Sequence, residues 1–222
     1  MLKILEGKKI IETEELSAIG KRFDKVVVDV GTGNGKYVYD LALANPETLY
    51  IGIEPAAANL LEYARKAMKN ISRKGAGNLI YLISSVEALE RSLEAVADEV
   101  YVNFPWGSLL EGVVKGEEAI LSKLAMLAKV DAALHLTFSY SSIHEPAEII
   151  RRGLPELNED YIGGELKRRY GDCGLDIENF RLMEGAELKG YGTFWAKRLF
   201  LGKSRDVYAL ECRRIRQDRQ DR

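Results

Sequence analysis

The chain has 222 residues, a formal net charge of −2 and an apolar fraction of 46%, which suits one domain with insertions and a substantial core. It contains no run of about eighteen apolar residues, and its N-terminus lacks an apolar signal-peptide core, so no membrane span and no secretion signal are predicted. The two cysteines form no paired motif and the two histidines no cluster, so the sequence predicts no disulfide framework and no metal site, and favours the reducing cytoplasm.

The charge is unevenly distributed along the chain. Residues 189–222 hold ten Lys or Arg and four Asp or Glu, a local balance of +6 that leaves −8 for the remainder. A basic carboxyl-terminal segment on an acidic body is typical of a surface that faces phosphate. Charged residues that merely solvate a surface would give the same pattern.

In chain order, residues 2–11 predict a β-hairpin around Gly7, and a short helix is expected at 13–20. Apolar runs then alternate with helical patterns. Strands are predicted at 25–30, 48–54, 78–83, 98–103 and 131–139, and helices at 35–45, 56–70, 86–95 and 115–128. This alternation predicts βαβ units and a parallel sheet with right-handed connections.

After residue 139 the alternation loosens. An insertion with a helix at 158–170 is expected over 141–174, and a loop over 185–204 separates two final strands at 177–184 and 206–212. The segments 104–115, 141–174 and 185–204 are interpreted as substrate-recognition links, since long connections are often functional. The charged tail 213–222 is predicted to be frayed. The expected fold is therefore a single α/β domain over residues 1–222, with a seven-stranded, mostly parallel sheet and an N-terminal hairpin.

A glycine-rich turn follows the first central strand. Residues 28–35 read VDVGTGNG, and the next strand ends at Glu54, about twenty residues later. Glycine lets a ligand approach the backbone, and a carboxylate at a strand end can accept hydrogen bonds from both ribose hydroxyls. Lys36 stands where the dinucleotide fingerprint needs a third glycine, and the Walker pattern is absent. With Asp29 before the turn, this arrangement favours S-adenosylmethionine, whereas the turn alone could be an ordinary tight connection.

The chain has two tryptophans, of which one follows a predicted strand and the other lies in a long link. The stretch Asn103, Phe104, Pro105 and Trp106 resembles the Asn-Pro-Pro-aromatic motif of amino-directed methyltransferases, in which polar groups hold a base edge and an aromatic ring stacks on it. Trp195 lies among basic residues in the second long link, an interleaving suited to an unstacked base. Each indole alone could instead pack on the core or anchor its loop. Together they could clamp one flipped base.

Basic residues recur in three clusters around the expected pocket mouth. Individually each could be a solvated surface charge, but together they favour RNA as the substrate. The clusters are Arg65, Lys66, Lys69, Arg73 and Lys74; Arg151 and Arg152; and Lys197, Arg198, Lys203 and Arg205.

Nearly the whole chain resembles the aminoglycoside-resistance methyltransferases that modify N1 of adenine 1408 in 16S rRNA. The resemblance is carried by residues 28–35, 50–55, 104–110 (FPWGSLL), 152–155 (RGLP) and 195–199 (WAKRL). It implies a class I S-adenosylmethionine-dependent, Rossmann-like methyltransferase that acts on the 30S ribosomal subunit. Rigid docking on rRNA suggests that the protein is a monomer.

The resemblance also implies roles for individual residues. Trp106 and Trp195 fall on the pair that sandwiches the target adenine. Cofactor positions fall on Asp29, Gly31, Gly33, Glu54, Pro55, Ser85, Val86, Glu87, Asn103, Phe104, Ser108 and Thr193. Positions near the target or on rRNA fall on Arg65, Lys66, Glu145, Arg152, Lys197, Arg198, Lys203 and Arg205. Lys203 replaces an arginine, Pro146 interrupts the first insertion, and the arginine-rich tail is not a family hallmark.

Adenine N1 carries an available lone pair, so methyl transfer would need positioning and desolvation rather than a general base. A methyl group on N1 would add bulk and positive charge to the Watson–Crick edge and block drugs such as kanamycin and apramycin. The alternatives are another methylation substrate, such as guanine N7 of tRNA or a small metabolite, and a non-catalytic RNA-binding protein with a cofactor-shaped pocket.

Overall fold

The computed structural model describes residues 1–14, 16, 20, 22–70, 73–140, 146–183, 187 and 206–216. The strands described are β1 Leu2–Glu6, β2 Lys9–Thr13, β3 Lys25–Val30, β4 Thr48–Ile53, β5 Leu79–Leu82, β6 Ala97–Asn103, β7 Ala128–Phe138, β8 Leu175–Leu182 and β9 Tyr208–Arg214. The helices described are α1 Lys36–Ala44, α2 Ala57–Ala67, α3 Gly107–Lys115, α4 Glu118–Leu127, α5 Pro146–Arg152 and α6, residues 159–172, which joins Glu159–Tyr161, a π-helical turn Ile162–Leu166 and Lys167–Asp172.

All described strands belong to one sheet in the order β2-β1-β5-β4-β3-β6-β7-β9-β8. The five strands from β5 to β7 are parallel, and β9 and β8 add antiparallel pairs at one edge. The predicted mostly parallel α/β sheet is thus confirmed, but it has nine strands instead of seven. The N-terminal hairpin supplies the two additional strands, because β1 pairs antiparallel with β5 at Ile4 and Leu82.

The central strand is buried on both faces, as its continuous apolar run predicted. Val26 and Val28 of β3 point into a core that α3, α4 and α6 cover, whereas Val27 points into a second core under α1 and α2. Tyr170 of α6 illustrates the first core, since its ring is fully buried and its hydroxyl donates to the oxygen of Val113 at 2.9 Å. Because helices cover both faces of the sheet, a ligand can approach it at the carboxyl ends of the parallel strands.

The prediction of a helix at 86–95 is wrong. The structure has a loop with one 3₁₀ turn, Arg91–Leu93, and Glu90 just before it is extended (φ −89°, ψ 154°). The apolar spacing of Val86, Leu89 and Leu93 suggested a helix, and all three side chains are indeed buried. Successive tight turns, not helical hydrogen bonds, bring them to the same face.

The link predicted over 104–115 is mostly helical. Its residues form α3, and the helix predicted at 115–128 begins only at Glu118 as α4. Gly116 separates the two helices with a left-handed conformation (φ 69°), which ends α3 after Lys115.

The tail predicted as frayed over 213–222 is partly ordered. Arg213 and Arg214 belong to β9, and the Arg213 guanidinium pairs with Glu178 of β8 at 2.6 Å. The Arg214 guanidinium donates to the oxygens of Ala125 and Gly174. These bonds tie the last strand to α4 and to the turn before β8.

The remaining predicted elements either agree with the structure within a few residues or lie outside the described residues. The hairpin, the first three central strands and the helix at 158–170 are confirmed. Half of the helix predicted at 13–20, nearly all of the loop at 185–204 and the end of the tail, 217–222, lie outside the described residues. None of the helices in the described part of the chain has the length and hydrophobicity that a bilayer span requires.

Candidate active site

The direction in which the chain adds strands to the sheet reverses at β3. From β3 the chain continues to β4 and β5 on one side, and then crosses to β6 and β7 on the other side. Open α/β sheets bind ligands at such a point, outside the carboxyl ends of their strands. A cleft of about 600 Å³ lies there. Of the predicted cofactor residues it is lined by Asp29, Gly31, Gly33, Glu54, Pro55, Ser85, Val86, Glu87, Asn103, Phe104 and Ser108, whereas Thr193 lies outside the described residues.

Glu54 is held in one orientation at the end of β4. Its Oε2 accepts from the backbone N–H of Gly33 at 3.2 Å, and its Oε1 accepts from the N–H of Ala56 at 3.2 Å and from Nδ2 of Asn59 at 3.1 Å. The residue is only 9% exposed but lines the cleft. A fixed carboxylate with lone pairs to spare can accept from two neighbouring hydroxyls, as a ribose-bearing cofactor requires.

The glycine turn leaves room for that cofactor. Gly33 has φ +60°, and a Cβ built on it would meet nothing within 4 Å, so the backbone is open towards the cleft. The backbone N–H groups of Gly31 and Thr32 donate to the oxygen of Ile53, which fixes the turn against the end of β4. The residues present therefore fit a ribose-bearing group with its chain laid over the turn.

Asp29 and Asn103 form a buried pair at the floor of the cleft. Nδ2 of Asn103 donates to Oδ1 of Asp29 at 3.1 Å, which joins the carboxyl ends of β3 and β6. Burial raises the pKa of Asp29 to about 7, although hydrogen bonds from Thr32 and Asn103 lower it in part. The charge of the Asp29 carboxyl therefore changes near neutral pH.

One rim of the cleft is closed by a side-chain contact. Oγ of Ser108, on α3, donates to Oε1 of Glu87 at 2.9 Å, and Glu87 lies in the segment after β5. A hydrogen bond from its own backbone N–H lowers the pKa of Glu87, with further lowering by Ser85 and Ser108. The carboxylate is therefore charged at neutral pH and holds two segments of the rim together.

Trp106 stands at the cleft mouth. The strand-end turn places Phe104 in the left-handed region (φ 49°), with its N–H donating to the oxygen of Thr137 at 2.6 Å. Such a conformation is costly for a bulky residue and often marks a functional turn. Trp106 follows as the N-cap of α3, is 55% exposed and lines the cleft. An indole folded wholly onto the core edge, the alternative interpretation, would be less exposed.

The first predicted basic cluster lies beside the cleft. A surface groove is lined by Asn59, Arg65, Lys66 and Lys69 of and after α2, and Asn59 also lines the cleft. Lys66 pairs with Glu62 at 2.6 Å and lies 4.3 Å from the Tyr63 ring centroid, whereas the side chains of Arg65 and Lys69 are exposed. The groove thus runs from the cleft along an exposed, partly basic helix face.

Arg152 occupies a different environment. Its side chain is 18% exposed, and its guanidinium is paired with Glu111 at 3.0 Å and Glu148 at 2.9 Å. Arg151 is exposed and pairs with Glu148. The other predicted substrate residues lie outside the described residues, namely Glu145, Trp195, Lys197, Arg198, Lys203 and Arg205.

Several cleft residues were missed by the sequence reasoning. Thr32 and Asn34 lie inside the glycine motif itself, so the motif could have indicated them. Asn59 could also have been predicted, because it is a polar residue only five positions after Glu54. Tyr37 and Leu109 come from helices, and no local pattern distinguishes them from packing residues.

Comparison with known proteins places these features in one family. The family model described as NpmA: 16S rRNA (adenine(1408)-N(1))-methyltransferase matches residues 3–213. A 16S rRNA (adenine(1408)-N(1))-methyltransferase from Escherichia coli is 37% identical over 210 residues, covering 93% of this chain and 96% of that protein. One from Streptoalloteichus hindustanus is 30% identical over 207 residues, covering 92% and 95%.

Solved structures agree with the sequence comparison. The crystal structure of a mutant 16S rRNA (adenine(1408)-N(1))-methyltransferase from Catenulisporales acidiphilia, with cosubstrate SAM, superposes with a TM-score of 0.88. The two chains are 34% identical, and the match covers 100% of each.

Proposed function

The chain belongs to the 16S rRNA (adenine(1408)-N(1))-methyltransferase family, and from this premise we propose that it methylates N1 of adenine 1408 in 16S rRNA with S-adenosylmethionine as the methyl donor. The observation that carries the proposal is a single cleft that combines the fixed Glu54 carboxylate with an exposed Trp106 at its mouth. The first feature suits a ribose, and the second suits an extruded base.

Residues at three strand ends would hold the cofactor. Glu54 would accept hydrogen bonds from the ribose hydroxyls, and the open backbone at Gly33 would let the cofactor lie close to the turn. Asp29, whose pKa burial raises to about 7, would lie near the cationic end of the cofactor, and that positive charge would favour its ionised form. Ser85, Val86 and Glu87 would border the adenine ring from the segment after β5. When bound, S-adenosylmethionine supplies a methyl group on a positively charged sulfur.

Trp106 would stack on the flipped target base, and Trp195 would cover its other face. Adenine N1 is hidden by pairing or stacking in helical RNA, so the base must leave the helix before transfer. Stacking on one aromatic ring is worth roughly 1–3 kcal/mol per base. The N1 lone pair attacks in line, and the product base keeps the positive charge that the sulfur loses, so no proton has to be removed.

The basic surface would position the protein on folded rRNA without reading sequence. Arg65 and Lys66 line a groove that meets the cleft at Asn59, which supports them as contacts to the strand that would enter it. Lys197, Arg198, Lys203 and Arg205 are proposed as further contacts, and Glu145 as a residue near the target. Arg152 is not proposed as such a contact, because its guanidinium is already paired with Glu111 and Glu148.

The assembled 30S subunit is the proposed substrate, with the protein docking as a monomer in the cytoplasm. A protein of 222 residues cannot enclose a ribosomal subunit, so it must recognise a preformed rRNA surface. A methylated N1 would carry a positive charge on the Watson–Crick edge of adenine 1408. We therefore expect resistance to aminoglycosides that pair with this edge.

Primer extension on 16S rRNA tests the proposal. Purified 30S subunits are incubated with the protein, with and without S-adenosylmethionine, and reverse transcription is run across the decoding-site helix. A stop at adenine 1408 that requires both components is expected, since N1 methylation blocks base pairing. Methyl incorporation at another position, or into tRNA instead, would replace the proposed substrate. Cofactor binding without any methyl incorporation would indicate a non-catalytic RNA-binding protein.

A further inference from the structure

A chain of alternating charges links the helix behind Trp106 to the helix of the first insertion. Glu111 of α3 accepts from Lys115 at 2.7 Å and from Arg152 at 3.0 Å. Arg152, at the end of α5, also donates to Glu148 at 2.9 Å, and Glu148 accepts from Arg151. The bond between Glu111 and Arg152 joins residues 41 positions apart in the sequence.

This bridge is more shielded than an ordinary surface ion pair. The side chains of Arg152 and Glu111 are 18% and 25% exposed. Exposed pairs contribute little to stability, whereas partly buried pairs within a network fix geometry more strongly. Lys115 lowers the pKa of Glu111 most, and Arg152 lowers it further, so the carboxylate stays charged at neutral pH.

The bridge lies directly behind the proposed base-stacking indole. A small cavity between the two helices is lined by Trp106, Leu110, Tyr140, Glu148 and Arg152, together with Gly107 and Leu154. Trp106 is the N-cap of α3, and Glu111 lies one turn further along the same helix. A shift of α3 relative to α5 would therefore move the indole.

Helix α5 is held to the body mainly along one side. None of its own side chains is fully buried, although the partly buried Ile149 packs against the main core. Its carboxyl end is held by the buried Leu154 and by the hydroxyl of Tyr140, which donates to the oxygen of Pro155 at 2.6 Å. Among the described residues, the ion pair of Arg152 with Glu111 is thus the polar contact that joins the side of α5 to α3.

The same geometry limits what else Arg152 can do. Its Nε and one terminal nitrogen donate to two different carboxylates. An rRNA phosphate would have to displace charge-assisted hydrogen bonds that are already formed in a part-buried site. Arg65 and Lys69, in contrast, are exposed on the groove beside the cleft.

We propose that Glu111 and Arg152 form a positioning pair that sets the orientation of Trp106 over the cleft, and that Arg152 acts through this bridge rather than as a phosphate contact. The inference rests on the proposed function, because it takes Trp106 as the ring that stacks on the target base. It assigns a role to Glu111, which no motif indicated, and a different role to Arg152.

Methyl-transfer kinetics on 30S subunits test the pair. Glu111→Gln removes the charge but keeps the size, and should lower kcat about tenfold while KM for 30S stays within about twofold, because a misplaced ring impairs the transfer geometry rather than docking. Arg152→Gln should lower kcat by a similar factor, and the double variant should lose little more than either single variant, because both substitutions break the same bridge. Glu178→Gln, which breaks the ion pair with Arg213 between β8 and β9, is the matched control and should leave both constants unchanged.

Two results would overturn the inference. One is wild-type kcat in Glu111→Gln. The other is a raised KM and a smaller salt dependence of 30S binding in Arg152→Gln that Glu111→Gln does not share, which would identify Arg152 as a phosphate contact. Either result leaves the proposed methylation itself intact, since that is judged on the wild-type protein.

A spectroscopic measurement tests the bridge without any turnover. The chain has two tryptophans, so Trp195→Phe leaves Trp106 as the single indole. In that background Glu111→Gln should shift the emission of Trp106 to longer wavelength, because the indole face that lines the small cavity turns away from it and meets more water. Glu178→Gln in the same background should not. Identical emission in all three proteins would contradict the positioning role even if the wild-type protein methylated no rRNA.

Discussion

The phenolic hydroxyl of Tyr81 donates a 2.7 Å hydrogen bond to the backbone oxygen of Gly35. Tyr81 stands on β5, and Gly35 is the N-cap of α1 at the end of the glycine turn. A Cβ built on Gly35 would lie 2.4 Å from Cε1 of Tyr81, so the ring fills the place of a side chain. Burial raises the pKa of Tyr81 far above its usual value, so the hydroxyl keeps its proton and donates throughout the neutral range.

Gly35→Ala should therefore damage both the fold and the cleft. The new methyl group would displace the Tyr81 ring, and φ at this residue is +74°. Overpacking and a strained backbone each cost roughly 1–3 kcal/mol. Thermal unfolding should show a lower Tm, and calorimetry a weaker affinity for S-adenosylmethionine. The matched control is Gly77→Ala, where a Cβ would meet nothing within 4 Å. Equal Tm and equal cofactor affinity in the two variants would contradict this account of the turn.

Glu54→Gln should weaken cofactor binding at least about tenfold, because hydrogen bonds to a charged acceptor are worth roughly 1.5–3 kcal/mol. Oxygens of Glu54 face donors at Gly33, Ala56 and Asn59, and the glutamine NH₂ group cannot accept from any of them. Titration calorimetry with S-adenosylhomocysteine measures the loss. Glu47→Gln, just before the opposite end of β4, removes the same charge away from the cleft and should bind like the wild type. Unchanged affinity in Glu54→Gln would remove the proposed ribose contact.

The buried carboxyl of Asp29 predicts a stability that falls as pH rises. Its pKa in the folded protein is about 7, above the value of about 3.9 for an unperturbed aspartate, so the folded state binds more protons between these values. The stabilising effect is complete below about pH 4 and is lost as pH rises to about 7. Asp29→Asn removes this titration. The gain in Tm of the variant over the wild type should therefore grow from pH 5 to pH 8, without cofactor present.

The comparison of Asp29→Asn with Asp24→Asn provides the control, because Asp24 lies at the opposite end of β3 and is not fully buried. A Tm difference for Asp29→Asn that stays constant over this pH range would mean that the carboxyl is ionised in the folded state well below pH 7.

The sequence predicted the sheet and the cleft floor because both depend on local patterns. The run at Val26 to Val28 indicated a strand buried on two faces, and its glycine turn placed Asp29 and Gly33 at the strand end. Glu54 followed from the next strand by the same reasoning. The class of cofactor could be inferred from these three segments alone.

Contacts between distant segments could not be predicted. The spacing of Val86, Leu89 and Leu93 is helical, yet tight turns satisfy the same burial. The bond between Tyr81 and Gly35 and the bridge between Arg152 and Glu111 join residues 46 and 41 positions apart. Neither leaves a local pattern, because an exposed arginine and a bridging arginine look alike in a sequence.

Trp106→Ala should abolish most turnover while leaving cofactor affinity and stability nearly unchanged. The indole is 55% exposed, so its removal opens no cavity in the core, but one stacking surface worth roughly 1–3 kcal/mol is lost. Trp106→Phe keeps a smaller ring and should retain more activity than alanine. Single-turnover methyl transfer, calorimetry and thermal unfolding measure the three effects. Loss of cofactor binding in Trp106→Ala would mean that the ring supports the cofactor instead of the base.

Binding to 30S subunits should weaken with salt, and the residues of the α2 groove should account for part of that dependence. Arg65→Ala and Lys69→Ala should each reduce the slope of log affinity against log salt by about one, because each would remove one proposed phosphate contact from the groove. The site of methylation should not change, since such contacts position the protein without reading bases. Arg168→Ala on α6 removes a similarly exposed cation that pairs with Asp172, and should leave the slope unchanged. An equal effect of all three substitutions would mean that net charge, not the groove, governs docking.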